Sequence, residues 1–299
     1  MTRHRLTFIT PLFSKGSYED RPEVRAPSIR GQLHWWFRAL GGSALDENAI
    51  FGSVHAKPVL ASKIVVRVAD VKGQTAEANT LPHKRGGEAS PKWAYKPGTT
   101  FDLLLTERLG GLTEAQRKAF RRTLEAWLLA GTLGLRATRA AGSFTWQPLS
   151  SDAIAMPRTP AEYAARLAEV FKGAPLRVHL LEPAYNSAEA ARVVVSDTIG
   201  GPDGASDWQK LDQQHWPLGN VKAGPQKQAF PHAPQRKTSP LRFRIVQFGQ
   251  AYHILAVWDN RTAVTGNQPG DFEGVIRLLS ERTKRIGPAL AKPLRHSNP

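Results

Sequence analysis

Arg30, His34 and Arg38 recur at intervals of four residues, with Arg25 just upstream. At 100° per residue the first three fall on one stripe of a helix. Guanidinium groups in such a row suit phosphate oxygens. A neutral imidazole among them would suit proton abstraction from a ribose hydroxyl. Trp35 lies outside the apolar stripe of the same helix, so it either packs beneath a loop or offers a face on which a base can stack. A second group follows further on. The stretch GTLGLRATRAAGSFTW, residues 131–146, is punctuated by Gly131, Gly134 and Gly142, with Arg136 and Arg139 between them. Glycine lets a backbone bend with positive φ and approach a ligand closely, and exposed amides beside arginines suit phosphate.

Other chemistries find little support. The chain has no cysteine, which excludes disulfides, thiolate metal sites and a cysteine nucleophile. Its nine histidines are scattered, with no HExxH pair, so no metal is expected. No Gly-Lys-Ser/Thr closes the glycine-rich stretch as in a P-loop, no Gly-x-Gly-x-x-Gly follows a strand, and no Gly-x-Ser-x-Gly elbow is present. No cofactor is expected. Asp197, Asp203, Asp207 and Asp212 show no tight pairing and read as solvated loop residues.

The elements that must position the two basic groups can be read from pattern. Residues 5–13 alternate and are rich in β-branched and aromatic side chains, which predicts a strand ended by Pro11. Pro27 and Ser28 open a helix, with Ser28 the expected N-cap and Gly41-Gly42 its end. Ile29, Leu33, Trp36 and Leu40 form its apolar stripe, with Phe37 at the edge. Strands are expected at 62–71 and 101–106. Between them lies a polar stretch, 72–98, too long for an idle connection and read as a mobile or binding loop. Thr113 to Gln116 is a capping box that starts a helix reaching about Ala130, with Phe120, Leu124, Trp127 and Leu128 as its core stripe. A weaker strand is expected after residue 143.

The order is therefore βαββαβ, as in a ferredoxin-like or RRM-type domain. The second half predicts a helix at 160–172, strands at 176–181, 191–196, 241–248 and 252–259, and a last helix at 271–286. A Gly-, Pro- and Gln-rich segment at 200–239 interrupts them. The expected fold class is α+β: an N-terminal domain, 1–150, carrying the glycine-rich loop, and a C-terminal domain, 151–299, carrying the 200–239 loop.

The 299 residues hold 41 Lys and Arg against 25 Asp and Glu, a formal charge of +16. Such an excess repels itself unless a polyanion offsets it, which makes nucleic acid the leading partner class. The first residues, MTRHRLTFITPLF, do not form a convincing secretion signal, and no apolar run approaches the ~20 residues a membrane helix needs. A cytoplasmic protein without a membrane partner is expected.

Four segments in order, LTFITPLF (6–13), RAPSIRGQLHWWFR (25–38), IFGS (50–53) and SKIVVRV (62–68), resemble the N-terminal part of the RAMP superfamily of CRISPR proteins. The likeness is greatest to subunit one of the Cmr, or type III-B, effector complex. Residues 131–144 are similar to that superfamily's glycine-rich loop, and RKTSPLRFRI (236–245) to a strand entry in its C-terminal domain. His34 stands where arginine is common, and Ala140 and Ala141 stand where the loop usually has more glycine and a bulky residue.

The resemblance implies two ferredoxin-like domains. It also implies a non-catalytic subunit that contacts the 3′ region of crRNA, reaches paired target RNA, and docks on other RAMP subunits. The residues placed at the RNA on this reading are Arg25, Ser28, Arg30, His34, Trp35, Arg38, Lys63, Gly134, Arg136, Arg139, Gly142, Arg236 and Lys237. Phosphate contacts of this kind hold a guide of any sequence and leave discrimination to base pairing. Two rivals remain open: a metal-independent RNA-processing endonuclease with His34 as base, and a protein–protein scaffold whose charge is incidental.

Overall fold

The computed structural model describes residues 1–16, 21–84, 86–200, 240–259 and 261, together with 273, 274, 276, 277 and 280. The expected contacts Arg236 and Lys237, and all but the first residue of the 200–239 segment and most of the 271–286 helix, lie outside these residues. The five positions described between 273 and 280 are helical.

Strand β1 (Thr2–Phe8) sits at the centre of a four-stranded antiparallel sheet with β5 (Thr100–Glu107) on one side and β6 (Phe144–Pro148) on the other. Strand β2 (Ile64–Lys72) completes it beyond β5, giving the order β2-β5-β1-β6 of a ferredoxin-like unit. Alternation sends Leu6, Phe8, Phe101, Leu103, Leu105, Phe144 and Trp146 to one face, where all are buried. Helices α1 (Ala26–Ala39) and α3 (Glu114–Ala130) cover that face with the stripes their sequences predict. Trp36 and Trp127 are among the largest side chains wholly removed from solvent.

The cap of α1 differs from expectation. Arg25 is the N-cap, in extended backbone, and its carbonyl accepts the amide N–H groups of Ser28 and Ile29. Pro27, with its φ already helical and no N–H to satisfy, lets the helix begin two residues before Ser28. Ser28 thus sits inside the first turn, exposed. The α3 capping box is as expected: Thr113 Oγ accepts from Gln116, and the Gln116 side chain accepts from the Thr113 amide.

Two elements were not foreseen. Helix α2 (Ala44–Phe51) follows α1 directly, capped by Ser43, whose hydroxyl accepts the Asp46 amide. The stretch read as a loop, 72–98, instead folds as a ribbon of β3 (Thr75–Asn79) and β4 (Pro91–Tyr95). Residue Leu12 exchanges both backbone hydrogen bonds with Tyr95, at 3.1 Å each, so the chain after β1 runs beside β4.

In the second half, α4 (Pro160–Val170) packs on α3, and the Tyr163 hydroxyl donates to the Leu129 carbonyl at the end of that helix. Strands β7 (Leu176–Tyr185), β9 (Ala251–Asp259) and β8 (Leu241–Phe248) form an antiparallel sheet in the order β7-β9-β8. Between β7 and β8 runs α5 (Ala188–Gly200), where a strand at 191–196 is predicted. The β-branched run Val193-Val194-Val195 favours a strand locally. Tertiary packing prevails: Ala188, Ala191, Val194 and Val195 bury one helical face, and the Ser187 hydroxyl accepts the Ala190 amide at its start. The sequence β7–α5–β8–β9 repeats the first three strands of the ferredoxin-like plan.

The two sheets share a core. Val246, Phe248, Leu255 and Val257 join the cluster built by α1, α3 and the first sheet. Buried Arg244 adds a polar tie. Its guanidinium donates to the carbonyls of Gly131 (2.6 Å) and Phe144 and lies 4.3 Å from the centre of the Phe144 ring.

Candidate nucleic-acid interface

The row on α1 does not form one open track. Arg30 turns inward and donates to the Phe51 carbonyl at the end of α2. His34 Nδ1 meets Glu47 Oε1 at 2.7 Å, and its ring lies 4.2 Å from that of Phe51. The other ring nitrogen, Nε2, is buried without a hydrogen-bond partner. Arg38 stays exposed, with Nε 3.4 Å from the same Glu47 oxygen. One carboxylate on the unforeseen α2 therefore faces both His34 and Arg38. Arg25, at the head of the helix, is partly exposed and 3.9 Å from Glu23.

Trp35 resolves toward packing. The guanidinium of Arg242, at the start of β8, lies 3.8 Å from the centre of the Trp35 ring, and Trp36 meets Trp35 edge-on at 5.0 Å. One aromatic face is thus already covered by a cation from the second sheet. Burial lowers the Arg242 pKa to about 10, which leaves it charged at neutral pH.

The glycine-rich loop is held by the fold on several sides. Gly134 has φ +81°, and a Cβ there would lie 2.3 Å from the Phe13 carbonyl oxygen. Gly142 has φ +65°, and a Cβ would lie 2.0 Å from the Leu133 carbonyl oxygen. Only glycine fits either position. Arg136 and Ala140 also take positive φ, at 59° and 62°, a conformation that costs a side-chain-bearing residue about 1–2 kcal/mol. Backbone strain of this kind persists where surroundings fix it and gathers at ligand clamps. The fixing contacts are visible. The Leu135 amide donates to Phe13, the Gly142 amide to Pro11, the Phe243 amide to Thr138, and the Thr10 hydroxyl to Ala140.

This turn brings Arg136 and Arg139 together. Burial first, and then the neighbouring Arg136 charge, lower the Arg139 pKa to about 10. Arg139 forms no ion pair among the described residues. His83, at the tip of the ribbon, hydrogen-bonds Ser196 at 2.8 Å; burial lowers its pKa, Asp197 opposes that, and Lys84 and Arg139 reinforce it. Lys84 of the ribbon and Arg139 of the loop thus both lie near His83. Lys63 lies apart, at the mouth of β2, where its carbonyl accepts the Arg108 amide at 2.8 Å.

The open face of the first sheet is a different surface. On its two central strands it presents Arg3, Arg5 and Thr7 opposite Leu104, Asp102 and Thr100, with no aromatic residue. Asp102 is fully buried between Arg3 and Arg5. Burial would raise its carboxyl, but hydrogen bonds from Arg5 and Arg3 prevail and hold it below the usual range. RRM-type stacking needs aromatics on these strands, so this face is not built for it.

Sequence reasoning missed Glu47, Arg242 and Arg244. Arg242 and Arg244 lie inside the quoted strand entry, but a strand reading alone does not say that alternate arginines are drawn toward aromatic rings. No helix of the described residues is long and apolar enough to cross a membrane, and these residues contain no cluster of His, Asp and Glu fit for a metal.

Residues 5–145 match the RAMP superfamily. A Pyrococcus furiosus protein, CRISPR system Cmr subunit Cmr1-1, is 30% identical over 157 residues, 45% of this chain and 44% of that protein. Cmr1-2 of the same organism is 40% identical over 78 residues, 22% of this chain and 40% of that one. The matched stretch therefore spans less than half the length of either relative. The crystal structure of apo Cmr1 from Pyrococcus furiosus aligns with a TM-score of 0.57 at 19% identity, covering 86% of this chain and 87% of that one. A chain of a type III-B Cmr-beta complex bound to cognate target RNA aligns with a TM-score of 0.63 at 9% identity, covering 95% and 99%. At these identities the likeness establishes the fold. Fold, ordered motifs and family match agree in likeness: residues 5–145, less than half of the chain, match the RAMP superfamily, and the chain resembles subunit one of the Cmr effector complex.

Proposed function

We propose that this chain is a non-catalytic, RNA-binding subunit of a type III-B Cmr ribonucleoprotein, gripping the 3′ region of crRNA and reaching the paired target. The observation that carries the reading is the glycine-fixed turn that sets Arg136 beside Arg139. Arg139 feels the Arg136 charge and pairs with no carboxylate among the described residues, so a polyanion would stabilise it. Arg38 and Arg25 on α1 supply flanking charge. Gly134 and Gly142 matter by shaping the turn. Ser28 and Lys63 would meet the sugar–phosphate chain at the edges of this surface, and Arg236 and Lys237 fall in the segment leading into β8. Arg30, His34 and Trp35 act from behind, by seating α1 against α2 and β8. Exposed Val54 and Val59, on the turn closed by the Ser53–Leu60 backbone pair, offer an apolar surface to a neighbouring subunit.

Such contacts supply affinity without reading sequence. In a salt titration of binding to several unrelated RNAs, Arg136→Ala with Arg139→Ala should weaken all of them alike. The slope of log K against log salt should flatten by about 0.7 for each phosphate that is no longer neutralised. An unchanged slope overturns the reading.

The endonuclease alternative loses its base. The ring nitrogen of His34 not engaged by Glu47 is buried against the protein and cannot reach a ribose hydroxyl in this arrangement.

A further inference from the structure

One large aromatic side chain stands out from the rest of the fold. Trp93, on β4, is 49% exposed, whereas most tryptophans in the described residues are packed. It borders a cleft of about 180 Å³ that opens where residues 13–15 diverge from β4, beyond the Leu12–Tyr95 pair. Lys92 and Lys15 line the same cleft, and so does Leu135, itself 46% exposed, next to the strained Arg136 of the glycine-rich loop. Glu77 stands directly opposite Trp93 in the ribbon register and completes the lining.

We propose that this cleft takes a single unpaired nucleobase of an RNA strand. The inference rests on the RNA-binding reading above and adds a site to it. The volume is below the roughly 300–1,000 Å³ of pockets that enclose whole drug-sized ligands, which suits one ring system and not a larger molecule. The indole supplies a face for stacking, Leu135 an apolar edge, and Lys15 and Lys92 are placed for the phosphates on either side of the base. Glu77 can only accept hydrogen bonds when ionised. It therefore favours the exocyclic amines of adenine and cytosine over uracil, which presents a carbonyl oxygen at the equivalent position. The site is continuous with the Arg136 turn, so a strand held there by its phosphates would pass the cleft.

The test compares binding of equal-length oligo(A), oligo(C) and oligo(U) RNA to the intact chain and to Trp93→Ala, Trp93→Phe and Glu77→Gln. Trp93 is half in solvent, and its truncation should leave thermal stability unchanged. Trp93→Ala should lose about tenfold in affinity for oligo(A) and oligo(C), the usual scale of one base stack. The salt slope should stay at the parent value, because every phosphate keeps its cation. Trp93→Phe should retain most of the binding. Glu77→Gln, which can donate as well as accept, should narrow the gap between oligo(U) and the others. Full binding of all three RNAs by Trp93→Ala overturns the cleft as a base site. If Arg136→Ala/Arg139→Ala still flattens the slope in that case, the phosphate-binding reading survives alone. If neither variant responds, both fall. Loss of binding to a partner subunit with RNA affinity intact would reassign the cleft to a protein side chain and likewise overturn the proposal.

Discussion

Arg242 covers the Trp35 ring at 3.8 Å, joining the first helix of one sheet to a strand of the other. The pair binds the two halves at the place where the glycine-rich loop also meets β8, through the Phe243 amide and the Thr138 carbonyl. A desolvated cation–π contact contributes about 2 kcal/mol. In a double-mutant cycle of Trp35→Leu and Arg242→Met, measured by chemical denaturation, the coupling should be about 1–2 kcal/mol. Strict additivity would mean that the two side chains are neighbours without being partners.

Arg244 sits two residues on and ties the halves more deeply. Replacing it by alanine leaves the Gly131 and Phe144 carbonyls buried without donors and opens a cavity beside the Phe144 and Trp146 rings. Arg244→Ala should therefore lower stability by about 3–5 kcal/mol, at the high end for a single change. Arg244→Lys should recover only part of that stability, since a single ammonium cannot span both carbonyls as the planar fork does. Thermal melts of the two variants decide it.

Glu47 hydrogen-bonds His34 and counters the Arg38 charge. Removing its charge in Glu47→Gln should raise RNA affinity a few-fold at low salt and steepen the salt dependence, because Arg38 is then released to phosphate. A separate experiment distinguishes this account from an endonuclease. Repeat-containing RNA incubated with the pure protein in EDTA should stay intact, in the parent and in His34→Ala alike.

His4 provides a pH signature. It is buried in β1, where Nε2 accepts the Ile154 amide at 2.9 Å, and burial lowers its pKa from 6.5 to about 4 despite the opposing Asp152 charge. The folded state thus keeps the ring neutral, while the unfolded chain takes up a proton below pH 6.5. The stabilisation is complete above pH 6.5 and is lost as the pH falls toward 4. Between pH 6.5 and 5 the loss should be about 1.6 kcal/mol, the slope approaching roughly 1.4 kcal/mol per pH unit only well below 6.5. Urea denaturation of the parent and of His4→Gln at both pH values tests this: the variant should show a flatter profile.

The elements that carry a strong period and a cap are plain in the sequence. Helices α1 and α3 bury the stripes their spacing implies, whereas the alternating strand read at 5–13 is β1 at Thr2–Phe8, and residues 8–13 are buried throughout because the chain there runs beneath the ribbon and the glycine-rich loop. What escapes depends on partners far along the chain. Nothing near Arg30 or His34 says that α2 will fold back and engage them, because the eight residues of α2 have no clear apolar stripe. The valine run in α5 favours a strand until the sheet it packs on is known. The ribbon of β3 and β4 has small and charged residues that read as a loop, and its pairing supplies what its composition does not. The arginine pair in the glycine-rich loop is legible because glycine spacing and charge act locally. Trp35 has two outcomes open to it in the sequence because its partner, Arg242, lies in the other half of the chain.

The central claim is that RNA runs along the Arg136 turn and the exposed side of α1, and not across the open sheet. Ultraviolet crosslinking of the assembled, RNA-loaded particle, read by peptide mass spectrometry, tests it most directly. Crosslinked nucleotides are expected on peptides from residues 131–146 and on the ribbon peptide that carries Trp93. Crosslinks confined to β1 and β5, on the side of Arg3, Arg5 and Asp102, or absent from this subunit while the particle remains whole, would contradict it.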